Sequence, residues 1–240
     1  MMGSDMSDAD SMRQPMMRRQ WLAHCTVLAL ALGTAGLVHA ADAIKPAAGN
    51  TKAIVLVVGD SLSAEYGLTR GRGWVALLQQ RIAQSKSSGV RGYEAVNASI
   101  SGDTTAGGRS RLPALLKQHH PAIVILELGG NDALRGLPLE TTRSNLTEMA
   151  RAAKAASAKV VIAGMQLPPN YGRKYSDEFA ALFAAVAKNE GAALVPFLLH
   201  GVADGPQADA MFQPDRIHPK EEAHPIILDN VWPVLQPLLR

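Results

Sequence analysis

The chain has little cysteine, little aromatic character and little charge. One cysteine stands among 240 residues, and aromatic and charged residues make up 5% and 19%. A single cysteine excludes a disulfide-stapled fold. The glycines follow no three-residue period, which excludes a collagen-like chain. The net charge is only +3, with no basic cluster interleaved with aromatics. That pattern offers no nucleic-acid face, and no nucleic acid is expected as a partner. What the chain does have is a 47% hydrophobic fraction, which excludes global disorder and supplies a sizeable core.

The first 40 residues differ from the rest. Arg18-Arg19 precedes a mostly apolar run, Trp21–Val38, which ends in Leu37-Val38-His39-Ala40. A positive start, a short apolar stretch and small residues at the end form the pattern of an export signal, cut after Ala40. The run is shorter than the roughly 20 residues of a spanning helix and is interrupted by His24, Thr26, Gly33, Thr34 and Gly36. The rival reading, a retained anchor, is therefore the weaker one. Residues 1–15 are polar and stand ahead of the pattern, which puts the start of the leader at Met16 or Met17. Cleavage removes three basic and three acidic residues together with Cys25, leaving the net charge unchanged. The expected organisation is a signal segment over 1–40, a flexible lead-in over 41–52 and one domain over 53–240. Export, most simply to the periplasm, follows.

Within 53–240, short apolar runs alternate with amphipathic ones. Ala53–Val58, Tyr93–Ala98, Ala122–Leu128, Val160–Met165 and Ala193–Phe197 read as five strands. Their near-continuous hydrophobicity fits parallel strands buried on both faces. Trp74, Leu77, Leu78 and Ile82 share a helical face, as do Leu146, Met149 and Ala153, and Phe179, Leu182, Phe183 and Val186. Gly107–His119 reads as a helix interrupted at Pro113, and Ile227–Leu238 as a terminal helix in which Pro233 starts a turn or a kink. The alternation predicts a three-layer α/β/α sandwich. In such sheets ligands bind beyond the carboxyl ends of the strands.

Four segments fall at those ends: Gly59-Asp60-Ser61-Leu62-Ser63, Ser99–Thr104, Gly129-Gly130-Asn131-Asp132 and Asp215-Arg216-Ile217-His218. A serine hydroxyl becomes a nucleophile when a base takes its proton. Ser61 follows a buried strand on a Gly-Asp turn, although a capping role would suit a lone serine there equally. His200 has no carboxylate motif beside it, whereas His218 combines a loop position with an acid three residues earlier. Asp215 at that spacing can reach the imidazole, either as a plain local hydrogen bond or as the orienter of a catalytic base. The amides of Ser61 and Gly102 and the side chain of Asn131 are suitable donors to an oxyanion. Each signal alone is weak; together they supply nucleophile, base, orienter and three donors. Asp60 and Asp132 adjoin the site without metal-ligand spacing, so no metal and no cofactor are expected. Gly71-Arg72-Gly73 lacks the spacing of a phosphate cradle and reads as a turn leading into a helix.

These residues resemble the four blocks of the SGNH (GDSL) hydrolases. Further stretches, Asn97–Thr104, Arg111–Lys117, Glu127–Asp132 and Leu167–Gly172, are similar to its bacterial periplasmic arylesterase subgroup, which includes acyl-CoA thioesterase/lysophospholipases. The resemblance implies a flavodoxin-like sheet of order 2-1-3-4-5. It also implies Ser61 as nucleophile, His218 as base, Asp215 as orienter, and Ser61, Gly102 and Asn131 as the oxyanion hole. Esters, thioesters and lysophospholipids are the implied substrates, with transient contact with membrane lipid, and a monomer is expected. Leu134, Leu137, Leu167 and Pro168 are expected to line an acyl site, and Arg135 reads as a solvated surface arginine. Two rivals stand beside this reading: a carbohydrate O-acetylesterase, and a non-catalytic lipid-binding sandwich.

Overall fold

The computed structural model describes residues 52–239, so the readings of the leader and most of the lead-in lie outside the described residues. Five strands form one parallel sheet: β1 (Ala53–Gly59), β2 (Tyr93–Asn97), β3 (Ile123–Glu127), β4 (Lys159–Ala163) and β5 (Ala193–Val195). Their order is β2-β1-β3-β4-β5, as the resemblance implies. The predicted strands are the observed ones to within a few residues at each end. The central pair is in register with Val55 opposite Ile123 and Gly59 opposite Glu127. Val55–Val58 and Ile123–Leu126 are fully buried, which is why these runs do not alternate with polar residues. Each such side chain contributes roughly 1.5–3 kcal/mol on burial.

Helices cover both faces. One layer contains α1 (Trp74–Gln84), the short α2 (Ser88–Arg91) and α8 (His224–Leu235). The other contains α3 (Thr105–His119), α5 (Leu139–Ala155) and α6 (Arg173–Glu190). The short α4 (Gly130–Leu134) and α7 (Ala208–Met211) sit in loops. No helix among the described residues is long and apolar enough to cross a membrane.

One proline reading needs correction. α3 runs unbroken through Pro113. That residue is exposed, so the Arg109 carbonyl that loses its partner faces water, while Leu112 and Leu116 keep the helix packed. α8 ends at Leu235, two residues past Pro233, and closes with a 3₁₀ turn, Gln236–Leu238. Burial of Ile227, Leu228, Val231 and Leu235 outweighs the missing hydrogen bond.

The sequence order reverses direction across β1 and β3, and the crevice at their carboxyl ends is the topological switch point. Ser61 follows β1, and Asn131 follows β3.

Candidate active site

The turn after β1 is wound by Asp60. Its carbonyl accepts from the amides of Ser63 and Ala64, and its Oδ1 accepts from the Leu62 amide at 3.0 Å. This leaves Ser61 on the rim. His218 Nε2 lies 2.9 Å from Ser61 Oγ across 157 residues of sequence. His218 Nδ1 lies 2.6 Å from Asp215 Oδ2. The other carboxylate oxygen of Asp215 accepts from the amides of Ile217 and His218, each at 3.0 Å. Arg216 takes a φ of 56° to allow this, a left-handed conformation that costs a non-glycine residue about 1–2 kcal/mol. Burial of the Asp215 carboxyl works against its charge. The bonds from the imidazole and the two amides outweigh that effect and hold its pKa at about 2. Asp215 is therefore a carboxylate throughout the working range, able to fix the imidazole tautomer and stabilise an imidazolium. The Tyr66 ring lies against the imidazole, with centroids 4.2 Å apart.

Of the three expected oxyanion donors, Ser61 lies on this turn, Asn131 bonds it through Asp60, and Gly102 lies in the loop after β2. Gly102 sits at a φ of 78°, which a side chain would strain, and Arg135 Nη2 donates to its carbonyl at 2.7 Å. Arg135 therefore bonds the backbone of the β2 loop, which its reading as a solvated surface group did not anticipate. Among the described residues, neither the Ser61 amide nor the Gly102 amide donates to a protein acceptor. Asn131 Nδ2 donates to Asp60 Oδ2 at 3.0 Å, which orients the amide and leaves its second N–H for a ligand.

Several residues of the neighbourhood were not singled out for these tasks. Asp60 is 2% exposed, and burial raises its pKa to about 6 against the bonds from Leu62 and Asn131 and the charge of His218. Its partner below is Glu127, fully buried at the end of β3. Glu127 Oε2 accepts from Ser63 Oγ at 2.6 Å and from the Asp60 amide at 3.2 Å. Burial and the Asp60 charge push the Glu127 pKa well above the ordinary carboxyl range. The one sequence signal was an acid inside the otherwise apolar Ala122–Leu128 run. Arg111 bonds the carbonyls of Gly59 and Ala98 and the carboxylate of Asp103, tying the β1 and β2 loops together.

Asp132 does not join Asp60. It accepts from the Thr105 amide and hydroxyl and from the Thr142 hydroxyl, and so pins α3 and α5 to the β3 loop. Among the described residues no three His, Cys, Asp or Glu side chains group as a metal site would. Gly71 and Gly73 form the turn into α1, their amides donating to Glu65. His200 does have a carboxylate partner, Asp204 at 2.8 Å, but the pair is exposed and bonds none of the residues around Ser61. Leu134 is 37% exposed at the end of α4, and Leu137 follows it. Leu167 and Pro168 lie in the loop after β4, with Leu167 packed partly against the core.

The comparisons with known proteins converge. Residues 57–226 match the model of the GDSL-like Lipase/Acylhydrolase family. The chain is 53% identical over 185 residues to esterase TesA of Pseudomonas aeruginosa, an alignment spanning 77% of this chain and 89% of that one. It is 44% identical, over 77% of this chain and 84% of the other, to thioesterase 1/protease 1/lysophospholipase L1 of Escherichia coli K12. The structure superposes with a TM-score of 0.71 on the psychrotrophic esterase EstA of Pseudoalteromonas sp., inhibited by monoethylphosphonate. Identity there is 37%, covering 78% of this chain and 98% of that one. With the sheet order and the sequence blocks all agreeing, the chain belongs to the GDSL-like lipase/acylhydrolase (SGNH hydrolase) family and is a carboxylic ester hydrolase.

Proposed function

We propose that Ser61 is the nucleophile of this esterase, His218 its general base and Asp215 the orienter, and that the reaction passes through an acyl-enzyme. The observation that carries the reading is the unbroken chain Ser61 Oγ, His218 Nε2, His218 Nδ1, Asp215 Oδ2, with spacings of 2.9 and 2.6 Å. Nε2 takes the hydroxyl proton as Oγ bonds to the substrate carbonyl carbon. The carbonyl oxygen gains the charge and is met by the amides of Ser61 and Gly102 and the free N–H of Asn131. The imidazolium returns its proton to the departing alkoxide or thiolate. Nε2 then draws a proton from water as its oxygen attacks the acyl carbon, and gives that proton to Ser61 Oγ as the acyl–Oγ bond breaks and the carboxylic acid leaves.

The substrates are acyl esters, together with the thioesters and lysophospholipids named for the Escherichia coli relative. What supports an apolar acyl group is the distribution of exposed aliphatic and aromatic surface. Tyr66, Ile100, Leu134 and Ile217 are the exposed large hydrophobics among the described residues. Tyr66 touches His218, and the other three lie within three residues of Gly102, Asn131 or His218. To the acyl side of the site we also assign Leu137, in the loop after α4, and Leu167 and Pro168, in the loop after β4. Such a rim suits an acyl chain or a lipid edge better than an acetylated sugar. The leader pattern in residues 1–40 supports export to the periplasm, where amino-terminal sequencing of the released protein would read a start at Ala41.

The test is Ser61→Ala assayed on p-nitrophenyl butyrate and with a fluorophosphonate probe. Loss of both turnover and labelling is the expected result; retention of either refutes the assignment. A panel of acyl esters, thioesters, lysophospholipids and acetylated sugars on the intact enzyme separates the substrate classes.

A further inference from the structure

The reaction uses Ser61, His218, Asp215 and the oxyanion donors, and leaves a buried acid beneath them unaccounted for. Glu127 faces the nucleophile turn from the last residue of β3, with no exposed surface. Both of its hydrogen bonds fall on one oxygen, Oε2, from the Asp60 amide and the Ser63 hydroxyl. Oε1 is buried without a partner. No cationic side chain bonds it among the described residues: Arg111, which reaches the Gly59 carbonyl at the end of β1, bonds Asp103 and the carbonyls of Gly59 and Ala98. Its charged neighbour is another acid, Asp60.

The surroundings are built around this carboxyl. A Cβ at Gly59, opposite Glu127 in the sheet, would stand 2.5 Å from Oε2 and 2.9 Å from Ser63 Oγ, so a side chain there would have to displace the carboxyl or the hydroxyl. Ser63 Oγ donates to Glu127 and accepts from the Trp74 indole at 3.1 Å. The Trp74 amide in turn donates to His224 Nδ1 at 3.0 Å. Above the turn, Asp60 carries the link onward to Asn131.

We propose that Glu127 is a positioning residue of the ester hydrolysis: its carboxyl clamps the Asp60 amide and the Ser63 hydroxyl, and so holds Ser61 in line with His218 and Asn131. It touches neither substrate nor reacting atoms; it acts through the turn. The group is held as the uncharged carboxylic acid. An anion there would sit in a dry pocket beside Asp60 with two donors and an orphan oxygen, and burial of an unpaired charge is far costlier than burial of the acid. The negative charge of the pair then rests on Asp60, which has the better donors (the Leu62 amide and Asn131) and faces His218. Asp103 is the remaining acid near Asp60, and it is paired with Arg111.

The proposal rests on the assignment of Ser61 and Asn131 above, and fluorophosphonate labelling of the unmodified enzyme reads that assignment separately. The test compares Glu127→Gln and Glu127→Ala on p-nitrophenyl butyrate from pH 5 to 9, with infrared difference spectra of the unmodified enzyme against Glu127→Gln at pH 7. A glutamine has the shape and neutrality of the acid and an oxygen to accept both bonds. It should keep kcat within about threefold and leave the pH profile in place. Alanine removes the clamp and should lower kcat about 10- to 100-fold with KM held, the size of effect a sub-ångström misplacement of reacting groups produces. The infrared difference should contain a protonated-carboxyl C=O stretch belonging to the unmodified enzyme. Glutamine falling as far as alanine, alanine keeping full kcat, or absence of that stretch would each overturn the proposal. Should the alanine variant fail to fold, the glutamine pH profile and the infrared difference carry the test without it.

Discussion

His224 should contribute a pH-dependent part of the domain's stability, and the structure gives the size of that part. Its Nδ1 accepts from the Trp74 amide, the first residue of α1. The imidazole is thus a neutral cap for one of the orphan amides at the start of α1. It is 2% exposed. Burial lowers its pKa from 6.5 to about 4, with the Glu65 charge and the Pro219 bond opposing. A proton on Nδ1 would also eject the Trp74 amide. At roughly 1.4 kcal/mol per unit, the shift corresponds to about 3 kcal/mol. Between pH 6.5 and 4 the unfolded chain binds this proton and the folded one does not, so the stabilisation is complete above pH 6.5 and is lost as pH falls toward 4.

Asp60 acts in the opposite sense. Its pKa is raised from 3.8 to about 6, so the fold binds its proton first and gains stability as pH falls through that window. The two slopes nearly cancel, and the unmodified protein alone would reveal neither. Urea unfolding of the domain and of its His224→Gln variant at pH 7, 6, 5 and 4 separates them. A glutamine oxygen can cap Trp74 but does not titrate. The stability difference between the two proteins should change by about 3 kcal/mol from pH 7 to pH 4, in favour of the variant. A difference that stays constant across the series would refute the neutral-cap reasoning.

Three further outcomes are expected. Asn131→Ala should lower kcat by roughly 10²–10³ with little change in KM, because the amide serves the oxyanion rather than the bound ester; steady-state kinetics on p-nitrophenyl butyrate check this. Gly59→Ala should destabilise the domain by roughly 1–3 kcal/mol, since the added methyl would stand 2.5 Å from Glu127 Oε2 and 2.9 Å from Ser63 Oγ; urea midpoints check the loss, and an unchanged midpoint would count against the tight fit. Leu167→Phe should move chain-length preference toward shorter acyl groups, read as kcat/KM across esters from C4 to C16, and an unchanged profile would remove Leu167 from the acyl site.

Much of the fold was written locally. Val55–Val58 and Ile123–Leu126 are apolar without alternation because both faces of the central strands are covered, and that pattern needs no knowledge of the partners. The Asp215–His218 pair was also legible, since its members are three residues apart and bond through a single turn. The prolines show where local rules stop. Pro113 breaks a helix by propensity, yet packing of Leu112 and Leu116 keeps α3 running, whereas α8 ends in a 3₁₀ turn two residues after Pro233.

By itself, then, the sequence determined which segments are strands and helices, which residue types stand at the carboxyl ends of the strands, and which known family those blocks resemble. The tertiary structure decided what no spacing could carry. Ser61 meets His218 only because the chain folds back across 157 residues, and Asp60 meets Asn131 across 71. It decided that Asp60 and Asp132 serve different partners, that His224 caps a helix, and that the acid in the apolar β3 run lies under the Ser61 turn. Local structure follows from short-range sterics and periodic burial. A site follows from long-range packing, which sets the distances and the dielectric on which its chemistry depends.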